Sequence, residues 1–377
     1  MMRAATELAK FSGPPLTQSL TGGVELIDRL GDEWRSLCAE GPSADPFFRP
    51  GWIGAYLRAF EPRAKLRIVV VRTDGRARLI LPLIEERSTL RGFPVRKLRA
   101  AAGVHSCRFD AIVGHGDPEP WIRAAWSHLQ ETGGWDVVEL CDVPEGGAAS
   151  RLVERAAKDG HPTGAWESMR TPYVRLSGAK DVEEILKRTG SHFRANLRRR
   201  RRRLEEKGAL TLRRIDRADP AELARFYELE RMGWKGDRGT AIACDARTRR
   251  FYDEIAGWAA QEGILSLRAL ELDGSAIAMH YGLTSGGRYL LPKPAYDPTL
   301  SSCSPGQILL HDVLRDGIEQ GLSEFDFLGP WMEWKADWTQ DVRPHHWLYV
   351  FRRGALGRAL HAAKFRLPKL KEALRGR

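Results

Sequence analysis

Between Tyr296 and Leu310 the chain carries residue types suited to holding an anion on a helix start. Ser304 fits the N-cap, Pro305 the first helical position, and Gly306 a point where a ligand can approach the backbone. The first amides of a helix have no intrahelical acceptor and bear partial positive charge. Ser304, Pro305, Gly306, Gln307 and Ile308 therefore form a candidate pyrophosphate seat, with Tyr296 placed to donate to the same ligand. The alternative is an ordinary capped core helix, because Ile308, Leu309, Val313, Leu314 and Ile318 recur at helical spacing.

Three further groupings have chemical potential. Asp326 sits in the apolar run Phe325–Leu328, ahead of Gly329-Pro330 and a cluster with Trp331, Glu333, Trp334 and Lys335. A carboxylate there can act as acid or base, and an ammonium can stabilise an oxyanion or hold a phosphate. The alternatives are a strand-end carboxylate capping backbone and a surface lysine. His280 follows the apolar run Ala276–Met279 and is either a base or a hydrogen-bonded core imidazole. Arg194, Asn196 and the run Arg198–Arg203 share a helix whose apolar face is Phe193, Leu197 and Leu204. Arginine forks suit phosphate, carboxylate or an anionic glycan; the alternative is a solvated basic helix. No metal site is expected, since His345 and His346 face opposite ways on a strand and the five cysteines contain no C-x-x-C pair.

The elements that position these residues alternate along the chain. Amphipathic helices are expected near both ends of each half, and apolar hairpins turn at Asp74-Gly75 and Asp273-Gly274. Helices are expected over Val182–Lys187 and Phe193–Lys207, and strands over Leu210–Ile215 and Glu324–Leu328. The Gly-, Pro- and Thr-rich segment Gly160–Thr171 marks a joint. The halves repeat one order of elements, which predicts a duplicated α/β unit, and only the second half has Ser304-Pro305-Gly306. The expected divisions are a flexible lead-in over 1–22, domains over 23–170 and 171–353, and a basic amphipathic helix over 354–377.

The chain has 377 residues, 42% of them hydrophobic, enough for two cored domains. Its net charge of +11 favours anionic partners. No signal peptide or membrane-spanning run is visible. No Walker loop, nucleophile elbow or dinucleotide fingerprint is present, so ATPase, classical hydrolase and dehydrogenase chemistries have no support.

Several motifs occur in one order: Phe193-Arg194-x-Asn196-Leu197-Arg198-Arg199, Gly274-x-x-Ile277-Ala278, Ala295-Tyr296-Asp297-Pro298, Ser304-Pro305-Gly306, Gly321-x-x-x-Phe325-Asp326-Phe327 and Trp334-Lys335-x-x-Trp338. Together they resemble the GNAT-superfamily acyltransferases of the CelD-like, cellulose-biosynthesis-associated group, which is related to Fem-type peptidyltransferases. The resemblance implies an α/β (α+β) fold of two tandem GNAT-like domains, each a mixed, mostly antiparallel sheet flanked by helices. It implies acetyl-CoA or another acyl-CoA as donor, seated at 304–308, and an amine or hydroxyl acceptor on a polysaccharide, glycolipid or precursor. Lys335 would act on the oxyanion or a phosphate, and Asp326 or His280 as base. Arg194, Asn196, Arg198 and Trp334 would meet an anionic or glycan-type acceptor. The usual Q/R-x-x-G-x-G/A loop is not intact in Leu300–Gly306, which leaves aminoacyl-tRNA as the alternative donor of a Fem-like transferase. A third alternative is a non-catalytic scaffold on an anionic membrane. Its support is the stripe Leu360, Ala363, Leu367, Leu370 and Leu374, set among lysines and arginines. The expected location is cytoplasmic, peripheral at the inner face of the membrane where that helix binds.

Overall fold

Asp-Gly turns organise both halves of the fold. Asp74 (φ 52°) and Gly75 (φ 73°) reverse one hairpin, and Asp273 (φ 48°) and Gly274 (φ 81°) reverse another. Positive φ at both central residues is the type I′ geometry, whose twist matches that of paired strands. The computed structural model describes residues 13–40 and 45–366 and builds one unit around each hairpin.

The first unit opens with β1 (Leu16–Gly22), α1 (Glu25–Arg29), α2 (Gly31–Glu40) and α3 (Pro50–Phe60). The hairpin β2 (Lys65–Thr73) and β3 (Arg76–Leu90), then β4 (Phe93–Ala100), β5 (Ile112–Val113), α4 (Glu119–Thr132), β6 (Val137–Pro144) and α5 (Ala148–Lys158) follow. β7 (Thr163–Arg175) leads into the second unit, Met169–Pro344. There α6 (Val182–Lys187), α7 (Ser191–Glu205), β8 (Leu210–Ile215), α8 (Pro220–Arg231), α9 (Trp234–Asp237) and α10 (Ala246–Gln261) precede a second hairpin. That hairpin is β9 (Leu267–Leu272) and β10 (Ser275–Ser285), followed by β11 (Arg288–Tyr296), α11 (Pro305–Glu319), β12 (Glu324–Asp326) and α12 (Glu333–Ala336). From His345 on, β13 (Val342–Phe351) and α13 (Ala355–His361) belong to the first unit again.

Both units have one topology. In the first, β1-β2-β3-β4 is an antiparallel meander, β6 lies parallel to β4, and β13 runs antiparallel to β6. In the second, β8-β9-β10-β11 is the meander, β12 lies parallel to β11, and β7 runs antiparallel to β12. Each is thus a mixed, mostly antiparallel sheet with helices packed on it, the class the sequence predicts. The sixth strand breaks the sequence order: the first unit takes it from beyond residue 344, the second from the segment just before it.

One expectation is corrected here and another is refined. Residues 16–22, expected in a flexible lead-in, form β1 and pair with Leu66–Arg72. Much of Gly160–Thr171, expected as the joint between the domains, is the first part of β7, and the units divide within it, between Ser168 and Met169. Neither segment alternates apolar and polar residues cleanly, so nothing local announces a strand; pairing with a sheet edge makes it one.

α11 is a fixed platform. Ile308, Leu309, Val313 and Leu314 are buried against Tyr289, Leu291 and Phe325, each worth about 1.5–3 kcal/mol of apolar burial. At the other end of the chain, Leu360 packs with Val137, Tyr349 and Phe351. Leu367, Leu370 and Leu374 of the expected amphipathic stripe lie outside the described residues.

Candidate active site

β11 outruns its parallel neighbour. Only Arg288, Tyr289 and Leu290 pair with β12, and Leu291–Tyr296 continue beyond it. Asp297 N–H donates to the Ile277 carbonyl at 2.9 Å, which sets the alternation along the β10–β11 pair. Ala295 and Lys293 therefore bond toward β10, while Tyr296 and Pro294 turn their backbone groups outward. Pro292 and Pro294 fall where a missing N–H costs no ladder bond. The free edge offers proline carbonyls and the Tyr296 N–H, groups that an amide-bearing chain can pair with.

Across the gap the chain leaves β12 through Leu328 (φ 50°) and Gly329 (φ 61°). A left-handed conformation costs a non-glycine residue about 1–2 kcal/mol, and two of the sequence-selected residues hold it. Asp326, fully buried, accepts the Leu328 N–H at 2.9 Å and lies 3.3 Å from Arg343 Nη1. Lys335, 5% exposed, donates from Nζ to the carbonyls of Leu328 (2.7 Å) and Pro330 (2.9 Å). Lys335 is therefore not a surface charge, and Asp326 caps the backbone just past its strand.

Ser304 takes the N-cap position of α11 but not the expected cap geometry. It is left-handed (φ 48°, ψ 59°), and its Oγ contacts the Ser301 carbonyl at 3.4 Å. The cause is the 3-10 helix Pro298–Cys303, which must be redirected into α11 within one residue. The Ser304 carbonyl accepts the amides of Gln307 (3.0 Å) and Ile308 (3.3 Å), while among the described residues no acceptor meets the Gly306 N–H. A Cβ on Gly306 would sit 3.7 Å from the Tyr296 ring, an ordinary contact, so the fold does not require glycine there. What glycine leaves is an uncovered amide beside an exposed aromatic ring. Gln307 Oε1 accepts the Trp338 indole N–H, Ile308 is core, and the Ser304 carbonyl takes both backbone amides, so Gly306 supplies the amide that a ligand can meet.

The remaining sequence-selected residues are placed as follows. His280 is buried, and its Nδ1 has no hydrogen-bond partner. Burial, aided by nearby Arg268, pushes its pKa down to about 3, so the ring is neutral. Arg194 Nη1 donates to the Leu186 (3.1 Å) and Thr189 (2.5 Å) carbonyls and ties down the end of α6. Asn196 accepts from Arg199 (2.8 Å), and Arg198 pairs with Glu183 (2.7 Å), both on exposed surface. Trp334 packs edge-on against Phe327 at 5.5 Å.

Glu230 and Lys235 are the site residues that the sequence did not announce. Glu230, 3% exposed, accepts the Ile242 N–H (2.8 Å) and pairs with Lys235 Nζ (2.7 Å). Lys235 Nζ also reaches the Pro294 carbonyl, at 3.4 Å, on the free edge of β11. A Cβ on Gly236 would fall 1.8 Å from the Arg231 carbonyl oxygen, so this reversal needs glycine. The one sequence signal was Glu230 ending a helix just before Trp234-Lys235-Gly236.

The segment holding these features can be compared with known domains. Residues 191–336 match the family model of the acetyltransferase (GNAT) domain. The GNAT match starts with α7 and ends with α12, enclosing the free β11 edge, the α11 start, Lys235 and Lys335. The matched domain is that of an acyltransferase enzyme. Among solved structures the chain is similar to FemX (TM-score 0.56, 12% identity, covering 89% of this chain and 98% of that one). It is also similar to the C-terminal domain of a putative lysylphosphatidylglycerol synthetase from Agrobacterium fabrum (0.53, 14%, 89% and 95%). A third is L-PGS from Bacillus licheniformis (0.52, 12%, 88% and 96%). At these identities the likeness is one of fold. No curated protein matches the sequence. Among the described residues no helix is long and apolar enough to cross a membrane, and no group of three or more His, Cys, Asp or Glu could hold a metal.

Proposed function

We propose that the second unit moves an acyl group, acetyl in the first instance, from acyl-CoA to an amine or hydroxyl of a polysaccharide, a glycolipid or one of their precursors. The observation that carries this is the free edge of β11 leading to the uncovered Gly306 amide. Pantetheine amides can pair with the carbonyl of Pro294 and the N–H of Tyr296. The diphosphate then meets the α11 start, where an unpaired N–H and the helix dipole favour negative charge. The thioester is directed toward Leu290, where β11 and β12 part.

The acceptor nitrogen or oxygen attacks the thioester carbon, the C–S bond breaks, and the proton lost by the acceptor ends on the departing CoA sulfur, which leaves as the thiol. Lys335 and Asp326 act as positioning residues that fix the Leu328–Pro330 turn beside the reacting carbon. Arg194 positions α7, and Asn196, Arg198 and Trp334 line the way to the acceptor. Lys235, held by Glu230 and reaching the Pro294 carbonyl, is a cation on the free edge whose neutralisation by Glu230 suits it to a polar acceptor group.

Among its described residues the first unit lacks the same equipment. β4 extends one residue past its last partner in β6, Asp117 already accepts the Glu119 N–H at the α4 start, and Pro118 and Pro120 have no N–H there. One donor site per chain follows. The proposal places the enzyme in the CelD-like group and in the cytoplasm. Release of CoA thiol from acetyl-CoA in the presence of glycan and glycolipid acceptors tests it. Turnover only with aminoacyl-tRNA would replace it with Fem-like transfer.

A further inference from the structure

Among the described residues, the four exposed large apolar side chains of the second unit lie on β11 itself or on segments tied to β11 or to the turn that follows β12. They are Met232, Tyr296, Trp331 and Met332, each 42–47% exposed. Met232 caps α8 three positions before Lys235, which reaches Pro294. Tyr296 stands beside Gly306, and Trp331 and Met332 follow Pro330, whose carbonyl Lys335 holds. An apolar cluster left in water at a cleft mouth marks an interaction site.

A basic helix adjoins this rim. Phe193 of α7 meets Trp338 edge-on at 5.1 Å, and Trp338 is bonded to Gln307 in the first turn of α11. Arg200 acts electrostatically on Asp337, next to α12. Lys180–Lys207 holds eleven basic and five acidic residues, a net of +6 out of the chain's +11. Arg199, Arg202 and Arg203 are exposed on α7; Arg199 bonds neutral Asn196, and Arg202 is only 3.9 Å from Glu206.

We infer that this rim docks on an anionic lipid surface, so that the acceptor is an amphiphile embedded in that surface. Apolar side chains that enter the interface, flanked by arginines that meet anionic headgroups, match both components of such a surface. A nucleic acid would use the arginines but not Met232 and Met332. The docking rests on the rim itself; the identity of the acceptor rests on the transfer proposed above.

The test is cosedimentation of the full chain with vesicles of phosphatidylcholine alone and with about one third phosphatidylglycerol. Binding to the anionic vesicles only is expected. Trp331→Ser with Met332→Ser should weaken it at least about tenfold. Arg199→Ala, Arg202→Ala and Arg203→Ala together should weaken it on the order of a hundredfold, about fivefold per charge. Both variants should keep the parent's thermal shift with acetyl-CoA. The inference falls if the chain binds neither vesicle or both equally. It also falls if the rim variants bind normally while Lys369→Ala, Lys371→Ala and Arg375→Ala abolish binding, or if transfer RNA outcompetes the vesicles for α7. Absence of any acetyl-CoA shift in the parent would instead overturn the donor assignment and leave the docking standing.

Discussion

Gly306→Asp separates a ligand seat from a structural helix start. Space is available, since the new Cβ would lie 3.7 Å from the Tyr296 ring and the backbone there is not left-handed. An acid in the first turn of a helix is favourable by about 0.3–1 kcal/mol, so thermal stability should hold or rise. The same carboxylate would face the donor diphosphate. At about 5.5 Å and an effective dielectric near 20, each pair of unit charges repels by about 3 kcal/mol, and a diphosphate carries more than one. Affinity for acetyl-CoA should therefore fall by more than about a hundredfold. Calorimetric titration of parent and variant, with a ligand-free melt of each, reads both effects. If the variant binds within about threefold of the parent and melts alike, the α11 start does not seat the diphosphate.

Three other outcomes follow from the same geometry. Lys335→Met leaves the Leu328 and Pro330 carbonyls without their donor, so urea unfolding should show a loss of about 2–4 kcal/mol; a loss below about 1 would mean that the turn holds itself. His280 has an unfolded pKa near 6.5 and a folded one of about 3, so between those values only the unfolded chain takes up the proton and stability falls with acidification. From pH 7 to 5 the parent should lose about 2 kcal/mol more than His280→Leu, and equal losses would contradict the buried, neutral ring. Replacing the pair together, Glu230→Gln with Lys235→Met, should spare acetyl-CoA affinity yet slow transfer at least about tenfold. Unchanged transfer would make the pair a brace between α8 and β11.

What the sequence disclosed is local chemistry. Asp74-Gly75 and Asp273-Gly274 demand left-handed turn residues, and both hairpins form there. Val182–Lys187 and Leu210–Ile215 have the bounds that periodicity assigns them, and the helix buries Val182, Ile185 and Leu186 on one face. The pairing of the sixth strand of each sheet was invisible, since its partner lies far off in the chain. The order of motifs pointed to the segment that the acetyltransferase (GNAT) domain model matches, but a residue's type could not say how its atoms were engaged. Lys335 reads as a free cation in sequence, yet it is held by two carbonyls. Glu230 and Lys235 meet only because the chain reverses tightly through Gly236.

The central claim is that one unit of the two, and only the second, takes acyl-CoA. Titration of acetyl-CoA into the full chain tests it most directly. The account predicts a single saturable site per chain, lost in Gly306→Asp. Two equal sites, or no heat with acetyl-CoA, longer acyl-CoAs or free CoA, would contradict it.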